Sequence, residues 1–252
     1  MRSAVLAACL ALSAAALSAP LSASAADIAL LAGGATKETV SELIPAFEKA
    51  TGHRVVATWA PAPAIRKRLE AGEVYDLVIS SAGEIDAFTA AGRLAPGSRT
   101  DLMKTGVGVA VRAGSARPDI STTDALVRAL LAAPAIGRSA GTSGEYIVTL
   151  FARLGLADKL VPRLRQAPPG QQVPDMLVAG EVEIGLQQTS ELINAPGIAY
   201  LGPLPPDLQR VTVYAAGLPA AAREPEAARA LVKALTGPEA AAVIRHNGMD
   251  PG

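Results

Sequence analysis

Residues Ala29–Thr39 read ALLAGGATKET, and this stretch decides the fold. Its apolar start predicts a short strand over Ile28 to Ala32. Thr36 as an N-cap with Glu38 in the first turn predicts a helix start. Glycines beside a helix start let a ligand reach free backbone N–H groups, and the helix dipole favours negative charge there. The stretch therefore predicts an anion-binding turn, with a plain tight turn between strand and helix as the alternative.

The N-terminal residues are typical of an export signal. Met1-Arg2-Ser3 is a basic start, an apolar run continues to about Pro20, and Ala23-Ser24-Ala25 is a small-x-small cleavage pattern. The apolar run is too short for a spanning helix. We expect cleavage after Ala25, which removes Cys9 and leaves a mature chain without cysteine. The sequence thus predicts a signal peptide over 1–25 and a periplasmic protein.

Composition narrows the class of the mature chain. About 225 residues remain, enough for one large domain or two lobes of about 100 residues. Without Arg2 the 23 basic residues become 22, against 23 acidic ones, and aromatic residues make up only 3%. Nucleic-acid binding calls for a basic surface and stacking rings. No later apolar segment reaches membrane length. We expect a soluble, exported monomer with no membrane span and no nucleic-acid partner.

Strands and helices alternate along the chain. In the first part, the pattern predicts strands at His53–Ala60 and Asp76–Ser80 and helices at about 38–49, 64–71 and 84–91. Such β-α-β-α-β-α order is typical of a parallel sheet with crossover helices, where ligands bind between strand C-termini and helix N-termini. The same alternation returns in the second half. The sequence therefore predicts an α/β fold.

Several loops of this kind could meet in one cleft. They are 33–37, 60–66, 80–84, 139–145 and 187–190. Four of them precede predicted helices and offer unpaired backbone N–H donors. Lys37 and Arg66 stand at helix starts, where a cation opposes the helix dipole unless a ligand compensates, and a solvated surface is the alternative for both. The predicted ligand-binding residues are Gly34, Ala35, Thr36, Lys37, Ala62, Pro63, Arg66, Ser81, Gly141, Thr142, Ser143, Gln188 and Thr189.

Two loops of the second half carry most of the polar groups. Ser139–Gly144 has three hydroxyls and two glycines immediately before a helix, which fits an anion, although an ordinary Ser or Thr N-cap would use the same residues. Gln187 to Ser190 ends a strand with amides and hydroxyls. These groups suit hydrogen bonding to a polar ligand, and a plain strand end is the alternative.

Residues for catalysis or metal binding are few. His53 and His246 have no carboxylate or cysteine neighbours at metal-ligand spacing, so we expect no metal site and no cofactor. No nucleophile elbow or phosphate-binding lysine motif is present. The residues that could carry protons are Tyr146, Glu145, Glu191 and Tyr214. Structural roles are the alternative for each of them.

The order of sequence blocks resembles a known family. After the signal peptide, LAGGATKE, TGHRVVATWAPAPAIRKRLEAG and YDLVISSAGEIDAF are similar to the periplasmic molybdate-binding proteins of import transporters, within the type 2 solute-binding proteins. The resemblance implies two α/β lobes with mixed sheets flanked by helices, a ligand cleft between the lobes, and an inner-membrane ABC permease as partner. It implies lobe one at 26–111 and 210–252 and lobe two at 112–209.

The chain departs from the molybdate binders at their ligand positions. Ala35 and Ala62-Pro63 stand where serine hydroxyls are expected, and Gln188 stands where a tyrosine is expected. Lys37 and Arg66 add charge suited to carboxylates. The blocks TGVGVAVRAG, SAGTSG, QTSELI, GPLPPDLQRVTVYAAGL and HNGMDP resemble a branch that includes bacterial aconitate isomerase.

These departures decide which functional hypothesis comes first. We expect a binding protein, rather than an enzyme, that captures a small anion for an ABC importer. Its ligand would be a di- or tricarboxylate, or in second place a molybdate-like oxyanion. One alternative is an isomerase that moves a proton along bound aconitate. Another is a binding protein that senses solutes for a receptor.

Overall fold

The stretch around Gly33 forms a strand, a single 3-10 turn and a helix. Strand β1 is Asp27–Gly33, the turn is Gly34–Thr36, and helix α1 is Lys37–Thr51. The computed structural model describes residues 25–252, so the predicted signal peptide, apart from its last residue, lies outside the described residues. Both faces of β1 are buried, which its near-continuous apolar run requires of a central strand.

The remaining elements follow in chain order. The strands are β2 Arg54–Ala60, β3 Leu77–Ser81, β4 Thr100–Thr105, β5 Val107–Arg112, β6 Ile136–Arg138, β7 Leu164–Gln166, β8 Ile184–Gln188, β9 Ile198–Pro203, β10 Thr212–Gly217 and β11 Asp250–Pro251. The helices are α2 Ala62–Glu70, α3 Ala82–Ala90, α4 Thr123–Ala132, α5 Thr142–Arg153, α6 Ala157–Leu160, α7 Val173–Ala179, α8 Pro225–Leu235 and α9 Ala240–His246. Further 3-10 turns are Val161–Arg163 and Thr189–Glu191.

Two mixed sheets are flanked by these helices. The first has the order β11-β4-β10-β3-β1-β2, in which β1 pairs parallel with β2 and β3, and β10 pairs antiparallel with β3 and β4. The second has the order β7-β6-β8-β5-β9, with β6 parallel to β7 and β8 and with β5 antiparallel to β8 and β9. Each sheet packs apolar clusters against both of its faces. The predicted α/β class with mixed, helix-flanked sheets is confirmed.

The chain passes between the sheets twice, at neighbouring places. It leaves the first sheet at Gly106, between β4 and β5, and returns between β9 and β10. Gln209 holds the two crossings together, because its amide accepts from the N–H of Val107 at 2.8 Å and donates to its carbonyl at 2.9 Å. Strand β5, which the sequence placed before the first crossing, lies in the second sheet. The division into lobes at 111 and 112 stays a prediction.

Several short elements differ from the pattern expected along the sequence. Strands β4 and β7 and helix α6 were not predicted. The six residues of β4 mix buried and partly exposed positions without strict alternation, and β7 and α6 have only three and four residues, too few for a periodic signal. Across residues 25–252, every helix is too short or too polar to cross a bilayer.

Candidate functional site

A cavity of about 490 Å³ lies between the loops at the ends of the two sheets. From the first sheet, its wall includes the turn after β1 and the start of α2. From the second sheet, it includes the start of α5, the segment 166–172 and the end of β8. Its volume falls in the range of small-molecule sites. The loops that the sequence expected to meet are thus brought to one cavity.

The structure divides the predicted ligand-binding residues into two groups. Those on the cavity wall are Gly34, Ala35, Lys37, Ala62, Gly141, Thr142, Ser143 and Gln188. Those off the wall are Thr36, Pro63, Arg66, Ser81 and Thr189. Whether the wall residues bind a ligand stays a prediction.

Thr36 occupies the N-cap position of helix α1, as predicted, but its side chain does not cap the helix. Its hydroxyl donates to the carbonyl of Gly33 at 2.9 Å, and its side chain is buried and makes no capping hydrogen bond. The position was therefore predicted correctly, whereas the hydroxyl points back toward the strand because a 3-10 turn precedes α1. Glu38 does lie in the first turn of α1, as expected.

The two predicted cations have different surroundings. Arg66 pairs with Glu84 at 2.5 Å, away from the cavity wall, and this hydrogen bond raises the pKa of the guanidinium. Lys37 lies on the wall, its side chain is 45% exposed, and its nearest carboxylate partner is Glu38 at 3.9 Å. Lys37 can therefore reach a bound anion, whereas Arg66 is already neutralised by Glu84.

Thr189 and Ser81 also lie off the wall. The hydroxyl of Thr189 is 3.3 Å from the hydroxyl of Tyr200. Ser80, one residue before the predicted Ser81, faces the cavity instead. Successive side chains of a strand point to opposite faces, so an error of one residue selects the wrong face.

At the start of helix α5, two of the backbone N–H groups already donate to the hydroxyl of Ser139, which precedes the helix. The hydroxyl oxygen of Ser139 accepts from the N–H groups of Gly141 and Gly144, each at 3.2 Å, and lies 2.9 Å from the hydroxyl of Ser143. Thr142 and Ser143, as the first two residues of the helix, keep N–H groups without helical partners. Fewer backbone N–H groups are therefore free to bind an anion here than the sequence indicated.

Two acidic side chains line the cavity next to Gly33 and Gly34, and this part of the wall is its floor. Glu191 and Tyr214 both line it, and each packs against one of the consecutive glycines after β1. A Cβ built on Gly33 would lie 3.7 Å from the Tyr214 ring, and one built on Gly34 would lie 3.1 Å from a Glu191 carboxyl oxygen. The glycine pair thus gives room to these side chains as well as to a ligand.

Burial changes the ionisation of both groups. Burial raises the pKa of Glu191 to about 7, against a weaker opposite effect of the Gln187 amide. Burial also raises the pKa of Tyr214, and the negative charge of Glu191 raises it further, while the Gln188 amide lowers it. Glu191 therefore titrates near neutral pH, and Tyr214 stays protonated there.

Gln188 has an amide with one unsatisfied end. Its Nε2 donates to the hydroxyl of Thr212 at 3.1 Å. Its Oε1 is buried and has no hydrogen-bond partner among the described residues. The side chain is only 1% exposed, and the residue lines the cavity. Buried polar atoms rarely stay unpaired, and a ligand contact of Gln188 stays a prediction.

The prediction of the wall missed several residues. Glu191 and Tyr214 were considered as proton carriers but not as wall residues, and Trp59 and the segment 166–172 were not considered. Trp59 could have been found, because it stands directly before the loop 60–66, which was expected at the cleft. The segment QAPPGQQ carries no periodic pattern that would have placed it at the cavity.

Metal binding is the remaining chemistry that side chains could supply. Over the described range 25–252, no group of three or more His, Cys, Asp or Glu residues is arranged to hold a metal ion. The titratable side chains on the cavity wall are Lys37, Glu191 and Tyr214. The arrangement can attract an anion and can exchange protons near neutral pH.

Comparisons with known proteins agree with this architecture. The family described as bacterial extracellular solute-binding protein matches residues 28–250. A Pseudomonas protein named aconitate isomerase is 36% identical over 230 residues, which cover 89% of this chain and 87% of that protein.

Solved structures show the same fold at lower identity. The periplasmic molybdate-binding protein of Azotobacter vinelandii has a TM-score of 0.73 and 22% identity, over 87% of this chain and 97% of that one. The sulfate-binding protein of Mycobacterium tuberculosis has a TM-score of 0.70 and 18% identity, over 90% of this chain and 87% of that one. These likenesses show the periplasmic binding protein fold and, at such identities, nothing about the ligand.

Proposed function

The chain belongs to the bacterial extracellular solute-binding proteins, and from that premise we propose that it interconverts cis- and trans-aconitate in its cleft. The relative named aconitate isomerase supports this reaction class, because its similarity extends over nearly the whole of both chains. The activity goes beyond simple capture of an anion. It needs an acid or base in reach of the substrate.

One observation carries the proposal. Glu191 lines the cavity, is partly buried, and has no salt-bridge partner among the described residues, while Tyr214 on the same wall stays protonated. In a protein that only captures anions, the ionised form of a carboxyl in the cleft would repel the ligand. A carboxyl with a pKa near the working pH is what proton transfer requires.

The rest of the wall suits a polycarboxylate. The turn after β1 and the starts of α2 and α5 all reach the cavity, and each helix start carries partial positive charge. Lys37 adds a full charge from one side. The wall has several such regions instead of one compact pocket, which fits an anion with separated carboxylates better than a small tetrahedral oxyanion.

The chemistry follows from the bonding of aconitate. Its carbon–carbon double bond cannot rotate, so the two isomers interconvert when a proton leaves the methylene carbon and another is added at the far end of the double bond. The double bond then forms anew and can take either geometry. Such a proton shift needs no metal, no cofactor and no net change in charge.

The test is turnover by the purified mature chain. Ultraviolet absorbance and proton NMR would follow the conversion of cis-aconitate to the trans isomer, and the reverse, against a heat-denatured sample. Equilibration of both isomers from either side is the expected result. No conversion from pH 5 to 9, by protein that binds aconitate in calorimetry, would overturn the proposal.

A second candidate function is capture of a small anion for an ABC importer. It is favoured by the likeness to the molybdate- and sulfate-binding proteins and by a cavity bounded by loops of two sheets. A periplasmic location and a permease partner belong to this candidate. Calorimetry with tricarballylate, citrate, trans-aconitate, molybdate and sulfate would test it. Tight binding of one of them without turnover would favour capture.

A further inference from the structure

Resting on the proposed isomerisation, we infer that Glu191 is the residue that takes the proton from the substrate and returns it at the other carbon. In this assignment Tyr214 transfers no proton. It stays a neutral hydrogen-bond donor next to the carboxyl and the ligand. No sequence motif marks either residue, because they belong to different sheets, 23 positions apart.

Hydrogen bonds of the two preceding residues fix the backbone position of Glu191. It lies in the 3-10 turn Thr189–Glu191, directly after β8. The N–H of Thr189 donates to the carbonyl of Gly106 at 2.8 Å, which ties the turn to the crossing between the sheets. The hydroxyl of Ser190 donates to the carbonyl of Ala35 at 2.8 Å, which ties it to the turn after β1. A residue that transfers a proton must be held in a fixed position relative to the substrate, and these two bonds hold Glu191 in this way.

The carboxyl of Glu191 has no cationic partner among the described residues. No Lys, Arg or His lies within salt-bridge distance of it among residues 25–252. The charged and titratable groups that share the cavity with it are Tyr214 from β10 and Lys37 from α1. Gln187 is its amide neighbour. A structural carboxylate would be expected to pair with an Arg or with several N–H groups, as Asp76 does with the N–H groups of Ala29, Arg223 and Glu224.

The neighbouring groups explain why Tyr214 is not the base. Only 5% of Tyr214 is exposed, and the burial and the charge of Glu191 both disfavour its phenolate. Its hydroxyl can therefore donate a hydrogen bond but cannot accept a proton from carbon at neutral pH. Lys37, as a cation, can bind a carboxylate but has no lone pair to act as a base.

The proton transfer balances with one carboxylate. Glu191 removes a proton from the methylene carbon, and the electron pair of that C–H bond forms a new double bond to the central carbon. The electrons of the old double bond move to the far terminal carbon. That carbon takes the proton from the Glu191 carboxyl, which returns to its carboxylate form. No oxidant, reductant or water is consumed.

The experiment compares three variants with the wild type. Glu191→Gln keeps the shape but cannot accept a proton, Glu191→Asp keeps the chemistry but shortens the reach, and Glu181→Gln makes the same charge change on the surface. Initial rates of aconitate isomerisation, exchange of the methylene protons in deuterium oxide by NMR, and tricarballylate binding by calorimetry would be measured for each.

The assignment predicts a loss of chemistry without a loss of binding. Glu191→Gln should lose about 100-fold or more in kcat and in deuterium exchange, with tricarballylate affinity within about threefold of wild type. Glu191→Asp should retain part of the activity, and Glu181→Gln all of it. The wild-type kcat/KM should rise with pH as the carboxyl ionises.

Two results would overturn the assignment. If the wild type isomerises aconitate and Glu191→Gln keeps a tenth or more of its kcat and exchange rate, Glu191 does not carry the proton, while the proposed function stands. If the folded wild type neither isomerises aconitate nor exchanges its methylene protons, the proposed function fails and the assignment fails with it.

Discussion

The hydroxyl of Ser190 donates a 2.8 Å hydrogen bond to the backbone carbonyl of Ala35. Ser190 follows a strand of the second sheet, and Ala35 follows a strand of the first. Both are buried. The bond therefore joins the two sides of the cavity floor and sets the position of Glu191, the next residue along the chain.

Replacing Ser190 should weaken both stability and activity. Ser190→Ala leaves the carbonyl of Ala35 buried and unpaired, so we expect the free energy of unfolding to fall by about 1–2 kcal/mol. We also expect kcat for aconitate to fall several-fold, because Glu191 loses its anchor. Urea denaturation and initial rates would measure the two effects.

Ser98→Ala is a matched control for that variant. The hydroxyl of Ser98 likewise donates to a backbone carbonyl, that of Ala95, and it also accepts from the N–H of Leu218, away from the cavity wall. We expect a similar loss of stability with unchanged kcat. Equal kcat in Ser190→Ala and wild type would contradict the anchoring role.

The stability of the protein should depend on pH through Glu191. Its pKa is raised from 4.5 to about 7 in the folded state, so between these values the folded state holds a proton that the unfolded state has lost. The free energy of unfolding therefore falls as pH rises from about 4.5 to about 7 and then levels off, by at most roughly 3 kcal/mol.

Glu191→Gln removes that pH-dependent cost. The variant should melt at a higher temperature than the wild type at pH 8, and the two should melt at about the same temperature at pH 4.5. Thermal melts of both proteins across this range would measure the difference. A difference that does not change with pH would show that Glu191 ionises normally in the fold.

Lys37 and Arg66 should differ in their effect on anion binding. Lys37→Ala removes the cation of the cavity wall, so we expect affinity for tricarballylate to fall by about fivefold or more, with a weaker salt dependence. Arg66→Ala breaks an exposed ion pair with Glu84 and should change affinity by less than about twofold. Calorimetry at two salt concentrations would compare the tricarballylate affinities of the two variants. An equal loss of affinity in both would place Arg66 at the binding site.

Gly144 and Gly83 should respond in opposite ways to alanine. A Cβ on Gly144 would lie 1.9 Å from the carbonyl oxygen of Ser139, so Gly144→Ala should lower the free energy of unfolding by about 2 kcal/mol or more and disturb the start of α5.

Gly83 lies in helix α3 with nothing within 4 Å of its Cβ position, so Gly83→Ala should raise the free energy of unfolding by about 0.5 kcal/mol. Chemical denaturation would measure both, and a neutral Gly144→Ala would contradict the close contact.

Local patterns account for what was predictable in the fold. The apolar run before Gly33, the glycine pair and the helical spacing after Lys37 all act within about twenty residues, and the structure forms a strand, a turn and a helix there. Short elements such as β7 escaped prediction because three residues carry no period. Thr36 was correctly placed at the N-cap of α1, but its hydroxyl bonds to Gly33 because of the preceding 3-10 turn, which the sequence pattern did not predict.

The candidate site depended more on partners distant in sequence. Lys37 and Arg66 were equivalent along the chain, since both stand at helix starts. The structure separates them because Glu84, 18 residues after Arg66, lies in the first turn of helix α3 and pairs with Arg66. No local pattern contains that information.

The sequence alone determined the alternation of strands and helices, the glycine turn after β1 and the family resemblance, because each depends on residues close together or on the order of blocks. Only the tertiary structure decided that Glu191 and Tyr214 share one cavity floor. Glu191 follows a strand of the second sheet and Tyr214 lies in a strand of the first, and both reach the cavity because Gly33 and Gly34 leave space for one side chain each. The sequence could not show this, because burial raises the pKa of both groups and the atoms that bury them come from distant parts of the chain.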